Sequence, residues 1–174
     1  MKLAYAAAGL LTAFIALQAN EIPRPAPSMN FRKVEGGVID LKQYRGKVVA
    51  LEFLLTTCPH CQKCSQLLQK LQDEYGPKGF QAVGVAFNEM AHMLLPEYTK
   101  NFGIRFPVGF AQREQVYEYL QHPAVAPLYA PQLVLIDRQG MIRFRHQGFR
   151  DDDEKMFRAK LEELIGAGKA VSKK

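Results

Sequence analysis

The residues best suited to chemistry are two cysteines, Cys58 and Cys61, separated by Pro59 and His60. They follow a strongly apolar run, residues 48–55, at the point where a helical pattern begins. At a helix start, unpaired backbone N–H groups and the helix dipole favour a thiolate on the first cysteine. The second cysteine then lies one turn inside the helix and can reach the first. This spacing predicts thiol–disulfide exchange, with Cys58 as nucleophile and Cys61 as resolving thiol.

His60 lies between the two cysteines and can place a cation or a hydrogen-bond donor beside the Cys58 sulfur. Either would stabilise the reduced form and make the cysteine pair more oxidising. Two other interpretations of the pair stay open. One is a structural disulfide in a redox-inactive binding protein, and the other is part of a metal site.

Glu52 is the one charged residue within the apolar run 48–55. Burying a lone carboxylate is costly, so burial would raise the pKa of Glu52. A carboxyl group of that kind beneath the cysteines could accept and return the proton of Cys61. The alternative is a strand end that is open to water, with Glu52 merely solvated.

Cys64 follows Cys61 by three residues on the same apolar helix face, which favours a small buried core residue. The competing hypothesis is a copper or zinc site, since Cys, His and Met are ligands that suit these metals. Its candidate ligands are Cys58, His60, Cys61 and Cys64, with Met90, His92 and Met93. Cysteines spaced along one helix would converge poorly on a metal ion, so we expect no metal and no cofactor.

The elements that must position these residues alternate along the chain. The uniformly apolar run 48–55 predicts a central strand that is covered on both faces. Strands and helices then alternate up to residue 120, which implies a parallel-rich sheet with right-handed crossovers. Residues 132–137 and 141–147 predict an antiparallel hairpin, and a last helix opens at residues 151–153. Three prolines between residues 20 and 30 indicate an extended leader rather than a packed element.

The whole chain has 174 residues, enough for one globular domain with a substantial core. Lys2, an apolar stretch and small residues up to Ala19 are the layout of a secretory signal peptide. We therefore expect a signal peptide at residues 1–19, a domain at 20–168 and a disordered tail at 169–174, with an uncleaved membrane anchor as the alternative. The formal net charge of +6 is scattered, so the sequence does not indicate nucleic-acid binding.

These motifs resemble the thioredoxin-like superfamily, in particular the exported TlpA/ResA-like thiol–disulfide oxidoreductases of the redoxin group. The resemblance covers about residues 26–165 and rests on the approach Arg45-Gly46-Lys47, the strand, the Cys-x-x-Cys helix start and Pro131 before a later strand. It implies an α/β thioredoxin-like fold, a central mixed β-sheet flanked by helices, with an N-terminal extension. It also implies that Pro131 forms a cis peptide bond against the cysteines and receives the substrate chain.

The resemblance further implies a monomer that acts on protein thiols or disulfides, with a membrane-bound or soluble redox partner, in the periplasm or another extracytoplasmic space. Glu52 stands six residues before Cys58, where thioredoxins carry a buried aspartate. Two features near the cysteines differ from the usual pattern of this family. Thr57 replaces the usual tryptophan before the first cysteine, and the Pro-His pair resembles that of the oxidase DsbA.

A peroxiredoxin-type peroxidase is the remaining alternative. Such enzymes carry a threonine three residues and a proline seven residues before the peroxidatic cysteine. Leu55 and Leu51 occupy those positions before Cys58, and the positions before Cys61 hold Cys58 and Leu54. The sequence therefore disfavours a peroxidase.

Overall fold

The central strand of the fold is β4, Val48–Leu54, and every one of its residues is buried. The structure is a computed structural model that describes the backbone of residues 21–171 and the side chains of residues 21–167. The strand pairs in parallel with β5, Phe80–Ala86, and antiparallel with β7, Gln132–Ile136. A strand with neighbours on both sides and cover on both faces must be apolar throughout, as the sequence predicts.

The described residues form one eight-stranded sheet in the order β1-β8-β7-β4-β5-β6-β2-β3. The pairs β4–β5 and β5–β6 are parallel and the others antiparallel. The remaining strands are β1 (Arg24–Pro25), β2 (Asn30–Arg32), β3 (Val38–Asp40), β6 (Val108–Phe110) and β8 (Met141–Gln147). This mixed sheet confirms the predicted thioredoxin-like α/β class.

Helices cover both faces of the sheet. They are α1 (Pro59–Tyr75), α2 (Ala91–Asn101), α3 (Arg113–Leu120) and α4 (Asp153–Val171). Alternate residues of β4 face opposite layers: Ala50 and Leu54 pack with buried residues of α1, α2 and α4, whereas Leu51 and Phe53 pack with α3. Glu52 has the parity of Ala50 and Leu54, so it faces the layer that contains α1. The sheet thus places Glu52 beneath the helix that carries the cysteines.

The predicted hairpin is present, since β7 and β8 pair antiparallel around a turn at residues 137–140. Asp137 accepts hydrogen bonds in that turn from the backbone N–H groups of Gln139 and Met141. The hairpin brings the last third of the chain beside β4. Helix α4 then packs on the same face as α1, through Phe157, Leu161 and Ile165.

The prediction that residues 20–30 form an extended leader rather than a packed element is wrong for part of this segment. Strand β1 pairs with β8 at the sheet edge, and Met29 and Phe31 are buried in the core layer that contains α3. The prolines mislead because proline is compatible with an edge strand, where its missing N–H group costs nothing. The extension therefore closes one core layer rather than trailing from the domain.

The predicted signal peptide at residues 1–19 lies outside the described residues. Helix α4 runs to Val171 and so enters the predicted tail at 169–174, of which residues 172–174 are also outside the description. Between residues 21 and 171, no helix is both long enough and apolar enough to span a membrane.

Candidate active site

Cys58 lies immediately before helix α1, as the spacing predicts. Its backbone is extended (φ −87°, ψ 118°), and Pro59 is the first helical residue, where a missing N–H group is tolerated. The Cys58 sulfur accepts a hydrogen bond from the backbone N–H of Cys61 at 3.4 Å. The side chain is partly exposed, so it can meet another molecule. This contact uses one of the backbone N–H groups that the start of a helix leaves unpaired.

Cys61 lies one turn further along and is fully buried, at 0% exposure. The backbone N–H of Leu55 donates to its sulfur at 3.5 Å. Burial raises the pKa of the Cys61 thiol, and the negative charges of Glu52 and Cys58 raise it further. Both sulfurs are free thiols in this structure. The two cysteines therefore differ sharply: one faces solvent, and the other remains protonated inside the protein.

Glu52 is fully buried in the strand beneath them. The Ser65 hydroxyl donates to Glu52 Oε2 at 2.6 Å, and among the described residues Glu52 Oε1 has no hydrogen-bond partner. Burial raises the pKa of Glu52 to about 8, against smaller lowering effects from Ser65 and Cys64. The carboxyl group can thus gain or lose a proton close to neutral pH.

Ser65 and Tyr98 complete this buried cluster, and the sequence reasoning missed both. Ser65 Oγ lies 2.6 Å from Glu52 Oε2 and 2.8 Å from the Tyr98 hydroxyl. A signal for Ser65 existed, because it stands four residues after Cys61 on the buried face of α1. Nothing local marks Tyr98, whose helix α2 is distant in sequence. Together the two hydroxyl groups orient one oxygen of Glu52.

Cys64 is fully buried in the core layer with Cys61. Burial and the neighbouring Glu52 charge raise the pKa of its thiol well above the ordinary value. This placement agrees with the core interpretation of Cys64. The structure also shows that the core around it includes a carboxyl group.

His60 is exposed on the first turn of α1, and its Nδ1 lies 2.9 Å from the backbone oxygen of Phe149. A carbonyl oxygen can only accept, so Nδ1 carries the hydrogen and the neutral ring keeps its lone pair on Nε2. Among the described residues, His60 makes no hydrogen bond to Cys58. The structure therefore fixes this histidine through the loop before α4, a contact that the sequence could not indicate.

Pro131 lies across from the cysteines at the start of β7. The Ala130–Pro131 peptide bond is cis, and the Cys58 thiol contacts the Ala130 carbonyl oxygen at 3.8 Å. The backbone N–H of Gly148 donates to the Pro131 carbonyl oxygen at 2.8 Å. The Cys58 thiol and the cis Ala130–Pro131 segment are thus neighbours, although they are far apart in the chain and Pro131 itself is buried.

The turn before Cys58 is held by Asn88, which follows strand β5. Asn88 Oδ1 accepts from the backbone N–H of Thr56 at 3.0 Å, and Asn88 Nδ2 donates to the Thr56 hydroxyl at 3.0 Å. Two reciprocal bonds to a nearly buried threonine restrict the backbone that leads into Cys58. Sequence reasoning did not single out either residue.

The AhpC/TSA family pattern matches residues 22–145 of the chain. This chain belongs to the AhpC/TSA family. It is also 30% identical over 122 residues to the thiol-disulfide oxidoreductase ResA of Bacillus thuringiensis subsp. konkukian, a match that covers 70% of this chain and 67% of that protein.

Solved structures of thiol:disulfide interchange proteins share this fold. A putative thiol:disulfide interchange protein DsbE from Chlorobium tepidum superposes with a TM-score of 0.75 at 24% identity, covering 84% of this chain and 99% of the other. A thioredoxin family thiol:disulfide interchange protein from Chlorobium tepidum TLS gives a TM-score of 0.71 at 26% identity, with the same coverage. The chain is a thiol–disulfide oxidoreductase of the ResA type.

The metal-site hypothesis finds little geometric support in this family member. Cys64 lies in the core beside Glu52, His60 is bonded to Phe149, and Met90 and Met93 are exposed. Within residues 21–167, no three His, Cys, Asp or Glu side chains are grouped so that they could hold a metal ion. The candidate ligands therefore point to different surroundings rather than to one site.

Proposed function

We propose that this protein is exported and exchanges disulfides with protein partners through Cys58 and Cys61. The observation that carries the proposal is the asymmetry of the two sulfurs: Cys58 is partly exposed at the start of α1, and Cys61 is fully buried above Glu52. Only the first sulfur can meet a partner. The second can act only after the first has reacted.

In the reducing direction, the Cys58 thiolate attacks one sulfur of a partner disulfide. A Cys58–partner disulfide forms, and the other partner sulfur leaves as a thiolate. Cys61 then loses its proton and attacks the Cys58 sulfur, which forms the Cys58–Cys61 disulfide and releases the second partner thiolate. The partner gains two electrons and two protons, and the cysteine pair loses them. Oxidation of a partner dithiol is the reverse sequence.

Glu52 serves as the proton acceptor for Cys61 in this proposal. The Cys61 thiol has a raised pKa, so it needs a nearby base to become a nucleophile. With its pKa raised to about 8, the Glu52 carboxyl group can take that proton and return it in the reverse direction. Its unpaired oxygen, Oε1, is free to do so while Ser65 holds Oε2.

The partner chain would lie beside Cys58 and the Ala130 carbonyl, next to the cis bond to Pro131. The Ala130 carbonyl is in contact with the Cys58 thiol, so a partner cysteine that reacts there comes close to the backbone before Pro131. His60, two residues after Cys58, is held by the Phe149 carbonyl. In this proposal its ring stabilises the reduced form when it carries a second proton, which would make the pair more oxidising.

Export is proposed from the signal-peptide layout of residues 1–19. An extracytoplasmic compartment is also where a cysteine pair of this kind can cycle between both states. We propose a monomer without a cofactor that acts on protein thiols or disulfides and is returned to its starting state by a membrane-bound or soluble redox partner.

The test is the disulfide exchange activity of Cys58→Ser, measured with insulin or with an oxidised dithiol protein. We expect activity at the uncatalysed background, because no exposed sulfur remains in the cysteine pair. Cys64→Ala is the matched control, which removes a buried sulfur outside the pair and should keep most of the activity. A Cys58→Ser protein as active as the wild type would overturn the proposal.

A further inference from the structure

A five-residue loop, residues 148–152, joins strand β8 to helix α4 and touches both sides of the active site. Its first residue, Gly148, donates its N–H to the Pro131 carbonyl oxygen at 2.8 Å. Its second residue, Phe149, accepts the hydrogen bond from His60 Nδ1 at 2.9 Å. The 148–152 loop therefore connects His60 with Pro131, both of which lie near Cys58.

The two ends of this loop are tied together by a hydrogen bond between side chains. His146, in β8, lies 3.0 Å from Asp153, the first residue of α4, between Nε2 and Oδ2. Their side chains are 18% and 5% exposed, so the pair is largely shielded from water. The same Asp153 oxygen accepts the backbone N–H of Arg150 at 2.8 Å, and Asp153 N–H donates to the Arg150 carbonyl at 3.0 Å. These contacts close the loop on itself.

Aromatic packing adds to the constraint on Phe149. The Phe149 ring stacks on Phe157 at 6.2 Å between centroids, and the His146 ring meets the same Phe157 edge-on at 5.3 Å. The His146 ring also stacks on Phe144 at 6.1 Å. The orientation of the Phe149 carbonyl, which His60 requires, thus depends on the packing around His146.

The other charged groups around the pair are few. Arg150 Nη2 lies 3.8 Å from Asp153 Oδ1, but the Arg150 side chain is largely exposed. On the sheet, Leu133 separates Glu52 from His146, since it is the register partner of both. Burial raises the pKa of Asp153, yet hydrogen bonds from Arg150 N–H and His146 outweigh it, so the pKa lies below the ordinary value. Asp153 is therefore a carboxylate, and a suitable acceptor for His146.

We propose that His146 and Asp153 are positioning residues for the active site, which hold the 148–152 loop so that His60 and the Ala130–Pro131 segment keep their places near Cys58. This inference rests on the proposed function and deepens it. Neither residue touches the reacting sulfur. They act through two backbone groups, the Phe149 carbonyl and the Gly148 N–H. Loss of the pair would free His60 from its acceptor and alter the balance between the reduced and oxidised cysteines.

The variant that tests this is His146→Phe, which keeps an aromatic ring and removes the donor to Asp153. We expect the equilibrium constant of the Cys58–Cys61 pair against glutathione to change by about tenfold, which corresponds to about 30 mV. The alkylation rate of Cys58 should change with it. His146→Gln, whose amide can still donate to Asp153, should restore most of the wild-type value. The His60 Nδ1–H resonance should lose its hydrogen-bonded shift in His146→Phe and keep it in His146→Gln.

The matched control is Arg143→Gln on the same strand. It breaks a comparable contact, Arg143 Nε to Asp137 Oδ2 at 2.6 Å, at the far end of β8. We expect it to change stability without changing the glutathione equilibrium. If His146→Phe does not fold, Asp153→Ala provides a second test, because it removes the oxygen that accepts from His146 and from Arg150 N–H.

The outcomes separate the two proposals. A wild-type protein that does not exchange disulfides with glutathione contradicts the proposed function. A wild-type protein that does exchange, with a folded His146→Phe variant of unchanged equilibrium constant and Cys58 rate, overturns the positioning inference alone. Equal shifts in Arg143→Gln and His146→Phe would also overturn it, since the effect would then be one of general destabilisation.

Discussion

The Ser65 hydroxyl holds one oxygen of Glu52 at 2.6 Å, and the other oxygen of Glu52 has no hydrogen-bond partner among the described residues. A buried carboxyl group with one fixed and one free oxygen has a defined orientation without being neutralised by a cation. That arrangement favours the protonated form near neutral pH and still leaves a site for proton transfer.

Glu52→Gln should remove a pH dependence of stability in the reduced protein. The pKa of Glu52 is about 8 in the folded state, against an ordinary value of 4.5. The folded state therefore binds this proton more tightly than the unfolded state, so the stabilisation is complete below pH 4.5 and is lost as the pH rises through about 8. The loss amounts to a few kcal/mol, since one pKa unit is about 1.4 kcal/mol.

Urea unfolding between pH 5 and pH 9 measures this effect. The wild type should lose stability across that range, and Glu52→Gln should show a flatter profile. Glu163→Gln is the control, because Glu163 forms an exposed ion pair with Lys160. Parallel profiles for the wild type and Glu52→Gln would contradict the buried-carboxyl assignment.

The same substitution should slow the step in which Cys61 attacks the mixed disulfide. In the wild type, the rate of that step should rise with pH and level off above about 8, as Glu52 becomes a carboxylate. Loss of a general base typically costs a hundredfold or more, on the order of 10²–10⁴. Stopped-flow release of a chromogenic thiol from a Cys58 mixed disulfide reports this step, and an unchanged rate in Glu52→Gln would remove the carboxyl group from the mechanism.

Ser65→Ala should move the inflection of that pH profile upward. The Ser65 hydrogen bond lowers the pKa of Glu52, so its removal leaves the burial effect less opposed. Tyr98→Phe should shift the profile less, because the Tyr98 hydroxyl reaches Glu52 only through Ser65. The measurement is the pH dependence of the same release step. A downward shift in Ser65→Ala would show that Ser65 does not stabilise the carboxylate.

Cys61→Ser should accumulate mixed disulfides with its partners, whereas Cys58→Ser should not. The difference follows from burial, since Cys61 has no exposed surface through which to attack a partner. Non-reducing electrophoresis of the two variants after incubation with oxidised substrate protein separates the cases, and dithiothreitol should dissolve the adduct. Comparable adducts in both variants would contradict the assignment of Cys58 as nucleophile.

Asn88→Ala should loosen the turn that precedes Cys58. It leaves the nearly buried Thr56 N–H without its acceptor, a loss of about 1–3 kcal/mol. We expect lower stability and a reduced exchange rate, with faster hydrogen exchange at Thr56. Asn101→Ala, at the exposed end of α2, provides the control and should change neither quantity by a comparable amount.

Much of this architecture is predictable from local sequence pattern. The site contacts that the sequence does not predict join segments that are distant in the chain. The apolar run before Cys58, the helix from Pro59 and the hairpin at 132–147 all carry their signal within a few residues. The lone carboxylate in an apolar strand likewise predicts the burial of Glu52. By contrast, the contacts of Ser65 with Tyr98, of His60 with Phe149 and of Thr56 with Asn88 join distant segments. No periodicity encodes such pairs, because they depend on how the elements pack.

The prediction of an unpacked leader at residues 20–30 is wrong for a different reason. Its three prolines indicate a segment without regular structure, yet strand β1 needs only two residues paired with β8. An edge strand uses only about half of its backbone N–H and C=O groups in hydrogen bonds to the sheet. A proline there therefore loses no hydrogen bond if its nitrogen faces away from the sheet. Burial of Met29 and Phe31 supplies the stabilisation that the short strand cannot.

The sheet order has a further consequence, for the time at which the active site comes into being. Both cysteines lie in the first half of the chain, but the carbonyl that contacts Cys58 belongs to Ala130 and the acceptor of His60 belongs to Phe149. A chain emerging from a pore would present two reactive thiols well before the residues that surround them. Until nearly the whole domain has emerged, Cys58 and Cys61 would react as unprotected thiols. Completion of the fold is therefore also the step that limits which molecules these cysteines can react with.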